Sequence, residues 1–297
     1  MTQSSSGFMD FLAEEVKKYK GIYVPVRSGL LRHLLVRKLP CKKIHPNPDD
    51  EFCKPEVGPN FEIISKYKEQ FRQAKAMGEA LQNSMEPLIV ERIKPDGYIL
   101  LNGHHRWAAA IQSGLAKVPV RITSLPNRTD IQQMLMQSKN SQRAVLDLDE
   151  VVFADGDSAL PAEKPLPVPL RAAFPQRLRL GIPGLFHFLN VNGYDVWVYS
   201  KSYYSLEYIK ALFRTYHVRV NGIVTGTARK RAGIQEAREK VEEMIMNHYD
   251  ATLTIDRDAL LRVNHRTKKY RVCQLSGKAE GWSAEVIEKA RSLEKDE

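Results

Sequence analysis

Two carboxylates stand two residues apart directly after an apolar segment of the chain. Asp147 and Asp149 follow an Ala-Val-Leu run at 144–146, which predicts a buried strand that ends here. At this spacing both side chains project to the same side, so one can attack phosphorus while the other handles the leaving-group proton. Two negative charges this close require a cation, and oxygen ligands favour Mg²⁺. The pair predicts phosphoryl-transfer chemistry, with a solvated loop as the alternative.

Further residues follow in an order that suits the same chemistry. Ser200 ends a predicted strand, and its hydroxyl can hydrogen-bond a phosphoryl oxygen. Lys230 can neutralise the phosphate and the nucleophile, although Lys240 also precedes the last predicted strand at a plausible distance. Asp256 and Asp258 end that strand, where they can complete a metal shell.

This order of motifs resembles the haloacid-dehalogenase superfamily over residues 144–262. The superfamily consists mostly of phosphatases with an aspartyl-phosphate intermediate, and the resemblance implies Mg²⁺ as cofactor. The segment from residue 153 to 183 is too short for a large cap domain. The last acidic pair lacks the Gly-Asp often seen there, so a degenerate domain is the alternative. The implied roles are Asp147 as nucleophile, Asp149 as general acid and base, Ser200 as phosphate binder, Lys230 as the positive residue, and Asp147, Asp149, Asp256 and, more weakly, Asp258 as metal ligands.

A second candidate site is a glycine turn that opens a helix. Gly103 lets the backbone turn sharply, and His104, His105 and Arg106 then fill the first helical turn. Backbone N–H groups, the positive end of the helix dipole and a guanidinium would converge there, which suits a phosphate. We call residues 103–106 the Gly-His-His-Arg turn. The alternative is a strand-to-helix connection whose basic residues face water.

The run at 87–110 resembles the ParB/sulfiredoxin superfamily, and the likeness covers residues 35–125. Members bind nucleotide phosphates at this turn, which implies that role for the Gly-His-His-Arg turn. Sulfiredoxins carry a catalytic Cys where this chain has His104, so sulfinic-acid reduction is disfavoured. Partition proteins usually read Gly-Glu-Arg-Arg, so the turn looks closer to the free-serine-kinase branch. An upstream acid assists catalysis in that branch, and Glu51 and Glu56 are candidates, with a solvated loop carboxylate as the alternative.

The elements predicted around these residues divide the chain into two parts. Short strands and helices before residue 138 form an α+β pattern. From residue 144 strands alternate with helices, which predicts an α/β three-layer domain on a mainly parallel sheet. We expect a lead-in at 1–34, a ParB/sulfiredoxin-like domain at 35–137, a linker at 138–143 and a haloacid-dehalogenase-like domain at 144–297.

Positive charge is concentrated in the first half of the chain. The protein has 45 Lys and Arg against 35 Asp and Glu, and residues 1–145 hold 22 and 14 of them, a net charge of +8. This excess favours a polyanionic partner, either a nucleotide phosphate or nucleic acid. A well-solvated basic surface is an equally good explanation.

The composition excludes several classes of protein. Hydrophobic residues at 43% and charged residues at 27% are ordinary for a globular chain and unlike a disordered or collagen-like one. Three scattered cysteines suit neither a disulfide framework nor a zinc site. Neither a bilayer-spanning segment nor a signal peptide is predicted, so we expect a cytoplasmic protein without a membrane partner. The oligomeric state is left open.

Three functional hypotheses follow from these residues. The first is a Mg²⁺-dependent phosphohydrolase or phosphotransferase whose basic N-terminal domain binds a nucleotide or phosphorylated ligand. The second is a nucleotide-dependent small-molecule kinase centred on the N-terminal domain. The third is a non-enzymatic regulator that binds nucleotide or DNA.

Overall fold

The chain folds into two compact units. The computed structural model describes residues 5–20, 23–78, 85–154, 160–227 and 234–295. Among the described residues, those up to Leu125 form the first unit with Ile234, and the others from Pro126 onward form the second. The predicted linker at 138–143 therefore lies inside the second unit. No helix in the described part of the chain is long and apolar enough to cross a membrane.

The first unit has a mixed α/β architecture. The helices are α1 (Ser5–Tyr19), α2 (Leu30–Leu34), α3 (Phe61–Ala76) and α4 (His104–Gln112), and the strands are β1 (Val24–Pro25), β2 (Val36–Pro40), β3 (Ile44–His45), β4 (Leu88–Lys94), β5 (Tyr98–Asn102) and β6 (Lys117–Thr123). Short 3-10 turns lie at Cys41–Lys43 and Glu51–Cys53. The sheet runs in the order β2-β6-β4-β5-β3, with β1 paired to β4. β4 pairs antiparallel with β5 and parallel with β6.

Helix α4 is held in the core of the first unit. Trp107 and the three alanines that follow it are fully buried. The rings of Phe8 and Phe11 on α1 lie 6.2 and 6.1 Å from the Trp107 ring, measured between centroids. Small alanine side chains let neighbouring elements approach the α4 backbone closely. The first turn of α4 is therefore fixed by the core behind it.

The second unit consists of strands and helices that mostly alternate along the chain. A π-helical turn, Leu148–Val152, follows its first strand. The helices are α5 (Arg128–Gln137), α6 (Val168–Ala173), α7 (Ile182–Val191), α8 (Leu206–Thr215), α9 (Ile234–His248) and α10 (Trp282–Lys295), and the strands are β7 (Gln142–Asp147), β8 (Tyr194–Tyr199), β9 (Gly222–Val224), β10 (Ala251–Ile255), β11 (Ala259–Asn264) and β12 (Tyr270–Gln274).

The sheet of the second unit is mixed, because two antiparallel strands extend the predicted parallel ones. Its order is β12-β11-β10-β7-β8-β9. β10, β7, β8 and β9 are parallel, as the alternating pattern predicts, but β11 and β12 add an antiparallel hairpin. The hairpin begins in the turn after Ile255, where the sequence pattern predicts only a strand end. Residues 147 and 256 leave the sheet side by side, because Leu146 pairs with Ile255.

Helix α5 belongs to the second unit because it packs against β9. The backbone N–H of Ile223 donates a hydrogen bond to Met134 Sδ at 3.4 Å, and both residues are buried. A capping box between Asn127 and Asp130 begins the helix directly after the first unit ends. Gln142 and Arg143, assigned to the linker from sequence, are the first residues of β7.

Gly222 is the tightest position in the second sheet, and replacing it tests the packing. A Cβ on Gly222 would lie 1.9 Å from Trp197 Cδ2, and Trp197 is fully buried on the paired strand. We expect Gly222→Ala to lower the free energy of unfolding by about 1–3 kcal/mol through overpacking. Urea unfolding followed by circular dichroism measures the change.

Gly184→Ala on α7 is the matched control. A Cβ there meets nothing within 4 Å, and alanine is a better helix former than glycine, so this variant keeps or gains stability. Equal stability of the two variants would contradict the packing described for Trp197.

Candidate functional site

Asp147 is fixed by the turn that follows β7. Its Oδ1 accepts hydrogen bonds from the backbone N–H groups of Asp149 and Glu150 at 2.8 and 2.9 Å. Leu148 and Val151 in the same turn are fully buried, which anchors the turn against the core. Asp147 Oδ2 accepts no hydrogen bond from the described residues. The turn therefore presents one carboxylate oxygen at the carboxyl end of a parallel strand, where open sheets bind ligands.

The pKa of Asp147 lies above its ordinary value. Burial is the main cause, and the negative charges of Asp149 and Glu150 add to it, while the two backbone N–H groups act in the opposite direction. Three acidic side chains within four residues make this end of the strand electronegative. A cation or a bound positive side chain would relieve the repulsion.

Asp149 and Ser200 come together across two neighbouring strand ends. Ser200 Oγ donates to Asp149 Oδ2 at 2.6 Å, and its own oxygen accepts the N–H of Ser202 at 2.9 Å. β7 and β8 are parallel, with Asp147 opposite Tyr199, so Ser200 follows directly beside the turn. Ser200 is 1% exposed. The predicted phosphate binder thus orients Asp149 in this arrangement, and its hydroxyl must rotate to meet a phosphoryl oxygen.

Lys201 is the basic residue that the structure brings to these carboxylates. Its Nζ lies 3.0 Å from Glu150 Oε1, and the pKa of Lys201 is raised chiefly by Glu150 and also by Asp147 and Asp149. The signal in the sequence is a lysine directly after the strand-end serine, which the motif-based prediction passed over. Lys230 lies outside the described residues. Its alternative Lys240 lies exposed on α9.

The proposed metal ligands occupy two different positions. Asp147 and Asp256 follow paired residues on adjacent parallel strands, so they leave the sheet side by side. Asp258 lies in the turn to β11, where its charge acts on the buried guanidinium of Arg179. Among the described residues no group of three or more His, Cys, Asp and Glu is placed to hold a metal. Two carboxylate donors still fit Mg²⁺, which is commonly held by one or two carboxylates, waters and substrate phosphates.

Gly103 begins α4 in a conformation that suits glycine. Its φ is +96°, and a Cβ would lie 2.7 Å from Leu88 Cδ2 and 3.1 Å from Arg106 Nε. The first bond of the helix runs from Trp107 N–H to Gly103 O at 2.9 Å. The N–H groups of residues 104–106 therefore have no hydrogen-bond acceptor within the helix and can donate to other groups.

The two histidines of the turn face the loop between β3 and α3. His104 is 6% exposed, and its Nε2 accepts the backbone N–H of Asn47 at 3.3 Å. His105 Nε2 accepts the backbone N–H of Asn60 at 3.1 Å. Burial lowers the pKa of His104 to about 4 and also lowers that of His105. Both imidazoles are therefore neutral acceptors near pH 7, and they attach the loop to α4 rather than supplying positive charge.

Arg106 is the cation of the turn, and it is buried. Its guanidinium donates to the carboxylate and the backbone carbonyl of Glu86 and, at 3.4 Å, to Asn102 Oδ1. The Arg106 side chain is 7% exposed, whereas the side chain of Glu86 is 78% exposed. The partner carboxylate is thus open to solvent, while the guanidinium is enclosed.

Asp50 is the acidic residue beside His104, and sequence reasoning missed it. Its Oδ1 lies 3.8 Å from His104 Nδ1 and accepts the N–H of Phe52 at 3.0 Å. Glu51 and Glu56, the predicted acids, lie exposed in the same loop. Asp50 is the N-cap of the 3-10 turn. The Asp-x-Phe pattern at 50–52 was the signal in the sequence that could have identified it.

Comparison with known proteins supports the resemblance of the N-terminal region to ParB. Residues 32–139 match the ParB N-terminal domain, so the N-terminal region is ParB-like. A solved structure of C-terminally truncated chromosome-partitioning protein ParB from Caulobacter crescentus with CTP-gamma-S is 23% identical, covers 35% of this chain and 52% of its own, and has a TM-score of 0.24. The same protein with the centromeric parS site is 22% identical, covers 34% and 46%, and has a TM-score of 0.22. This chain thus spans about half the length of those ParB chains. No curated protein matched.

The low pKa of His104 predicts acid-sensitive stability of the first unit. The unfolded histidine takes up a proton near its ordinary pKa of 6.5, but the folded one stays neutral until about pH 4. The free energy of unfolding therefore falls as pH drops through this window, by up to roughly 3 kcal/mol. Urea unfolding across this pH range measures the slope.

His104→Gln should flatten that slope, because an amide oxygen can accept the Asn47 N–H without titrating. His187→Gln, at an exposed position on α7, should leave it unchanged. The interpretation fails if the parent protein and His104→Gln lose stability equally on acidification.

Proposed function

We propose that the second unit is a phosphohydrolase or phosphotransferase that acts on phosphomonoesters through Asp147. The supporting observation is that Ser200, predicted from the sequence to take part in this chemistry, lies beside the Asp147 and Asp149 pair. Asp147, Asp149 and Ser200 end adjacent parallel strands, and Ser200 holds the Asp149 carboxylate at 2.6 Å. The parallel order β10-β7-β8-β9 suits the haloacid-dehalogenase-like interpretation.

The proposed reaction has two steps. Asp147 Oδ2 attacks phosphorus, the bond from phosphorus to the ester oxygen breaks, and Asp149 gives its proton to the leaving oxygen. Asp149 then takes a proton from water, whose oxygen attacks phosphorus and releases phosphate from Asp147. Ser200 keeps Asp149 aimed at this position, and Lys201 offsets the negative charge of the turn. Mg²⁺ held by Asp147 and Asp256 would supply further charge neutralisation for the transferring group.

Asp147→Asn tests the proposal. The amide cannot act as the nucleophile, so phosphate release from phosphomonoesters and nucleotides in the presence of Mg²⁺ should fall to background. Release is measured by a phosphate assay across a substrate panel. Removing Mg²⁺ with a chelator should lower the rate of the parent protein.

Asp250→Asn is the matched control. This carboxylate precedes β10, at the end of the strands opposite to Asp147, and it pairs with Arg266 at 2.7 Å. Its loss should therefore leave the rate unchanged. Full phosphate release by a folded Asp147→Asn protein would refute the proposed mechanism.

The ParB-like unit has a second proposed function, the binding of nucleotide phosphates. The match to the ParB N-terminal domain and the glycine-enforced start of α4 favour it. An incoming phosphate can take the place of the exposed Glu86 carboxylate on Arg106 and accept the first N–H groups of α4. Because His104 and His105 are neutral and bonded to the loop, they would position the turn.

Arg106→Gln should weaken nucleotide binding by about tenfold or more, since a charge-assisted contact is lost. CTP is a suitable first probe, because its thio analogue is the ligand of one ParB structure above. Isothermal titration in the Asp147→Asn chain separates binding from turnover. Arg92→Gln, at an exposed position on β4, should bind as the parent does.

The same variants distinguish the remaining hypotheses. A nucleotide-dependent kinase would phosphorylate a free hydroxyl compound in a reaction that Arg106→Gln abolishes and Asp147→Asn does not. A DNA-binding regulator would retain DNA in a salt-sensitive manner and show no turnover. Unchanged CTP affinity in Arg106→Gln would contradict a phosphate site at the turn.

A further inference from the structure

An open cavity of about 500 Å³ lies in the second unit, away from the carboxylates described above. It is lined by the carboxyl ends of α5 and α8 and by the segment from α8 to β9. Asn221 on its wall directly precedes β9, whereas Asp147 and Ser200 lie at the carboxyl ends of their strands. The cavity and the Asp147 site therefore open at opposite ends of the parallel strands of this sheet.

The charge of the cavity is of one sign. None of its lining residues is acidic, and four are basic: Lys210, Arg214, His217 and Arg219. All four are exposed, and none forms an ion pair with a carboxylate in the described part of the chain. Arg214 lies in the last turn of α8, where it also offsets the negative end of the helix dipole. That effect accounts for Arg214 and leaves Lys210 and Arg219 unmatched.

Asp195 lies behind the cavity wall, beside Asn221, and its hydrogen-bonding capacity is already used. Asp195 is 1% exposed and accepts hydrogen bonds from Asn140, Asn221 and Tyr249, each at 2.8 Å. These three donors hold the Asp195 carboxylate on the side of Asn221 that faces the protein interior. Asp195 therefore does not neutralise the basic residues at the cavity mouth.

The floor of the cavity is apolar. Met134 and Phe213 are buried beneath it, and Val218 and Val220 are half-buried at its side. An apolar floor under a basic mouth suits a ligand with a flat apolar part and an anionic part. The volume lies within the roughly 300–1,000 Å³ common for small-molecule sites, and a concave shape favours such a ligand over an extended strand.

His217 ends helix α8 at the mouth of the cavity. Its φ is +55°, and it follows the C-cap Tyr216, where helices commonly end in the left-handed region. The N–H groups of His217 and Val218 donate to the carbonyls of Arg214 and Phe213 at 3.1 and 3.0 Å. The turn at His217 carries the chain from α8 to Arg219 on the cavity wall.

We propose that this cavity binds a nucleoside phosphate, with the phosphate at the basic mouth and the base over the apolar floor. The site is separate from the Gly-His-His-Arg turn and from the Asp147 turn. Its occupant is a free nucleotide rather than nucleic acid, because the basic residues surround a cavity of limited volume.

The test uses a full-length chain in which the other two sites are silenced by Arg106→Gln and Asp147→Asn. Isothermal titration with ADP, GDP, CDP and UDP should show one binding site. Adding Arg214→Gln and Arg219→Gln should weaken the best nucleotide by about tenfold or more. Lys164→Gln with Lys278→Gln removes the same charge from exposed positions outside the cavity and should leave the affinity within about twofold.

The other arms define what would overturn the proposal. The nucleoside alone and inorganic phosphate alone should each bind more weakly than the nucleotide. Equal affinity for either, equal affinity of the two double variants, or binding of single-stranded DNA without binding of nucleotides would each refute a nucleotide site. Repeating the titrations with Arg106 intact keeps the comparison valid if Arg106→Gln disturbs the first unit. Loss of phosphate release in Asp147→Asn is independent of these results.

Discussion

Two backbone hydrogen bonds to one carboxylate organise the candidate site of the second unit. The N–H groups of Asp149 and Glu150 bind Asp147 Oδ1, and this contact turns the chain immediately after β7. Without those donors, three acidic side chains in four residues would repel one another at the end of a buried strand. The same turn places Asp149 beside Ser200 and Glu150 beside Lys201. Each of the remaining contacts of the site depends on it.

Each unit places the charged residues of its candidate site just after a strand, but the two sites carry charges of opposite sign. In each unit a strand ends, the chain turns within a few residues, and ionisable side chains follow. In the first unit the histidines are neutral acceptors, and Arg106 is paired with an exposed glutamate and also donates to the Glu86 carbonyl and to Asn102. In the second unit Asp147 keeps one oxygen without a hydrogen bond from the described residues. The arrangement in the first unit suits the binding of an anion. The arrangement in the second unit suits nucleophilic attack on a phosphoryl group.

Local patterns in the sequence predicted the strands and turns that carry both sites. The apolar runs before Asp147, Ser200 and Asp256 are strands, and Gly103 does begin a helix. Residues whose role depends on distant contacts were missed. Asp50 meets His104 only because the loop after β3 folds back on α4, and Lys201 meets Glu150 only because β8 pairs with β7. The β11–β12 hairpin was missed because its residues show no clean alternation between apolar and polar.

The most direct test of the account is to look for a phosphoryl group on the protein. Incubation with acetyl phosphate and Mg²⁺, followed by peptide mapping with mass spectrometry, should place one acid-stable, alkali-labile phosphoryl group on Asp147 and none on Asp147→Asn. A phosphoryl group on another residue, or phosphate release with no adduct at Asp147 under trapping conditions, would contradict the proposed mechanism.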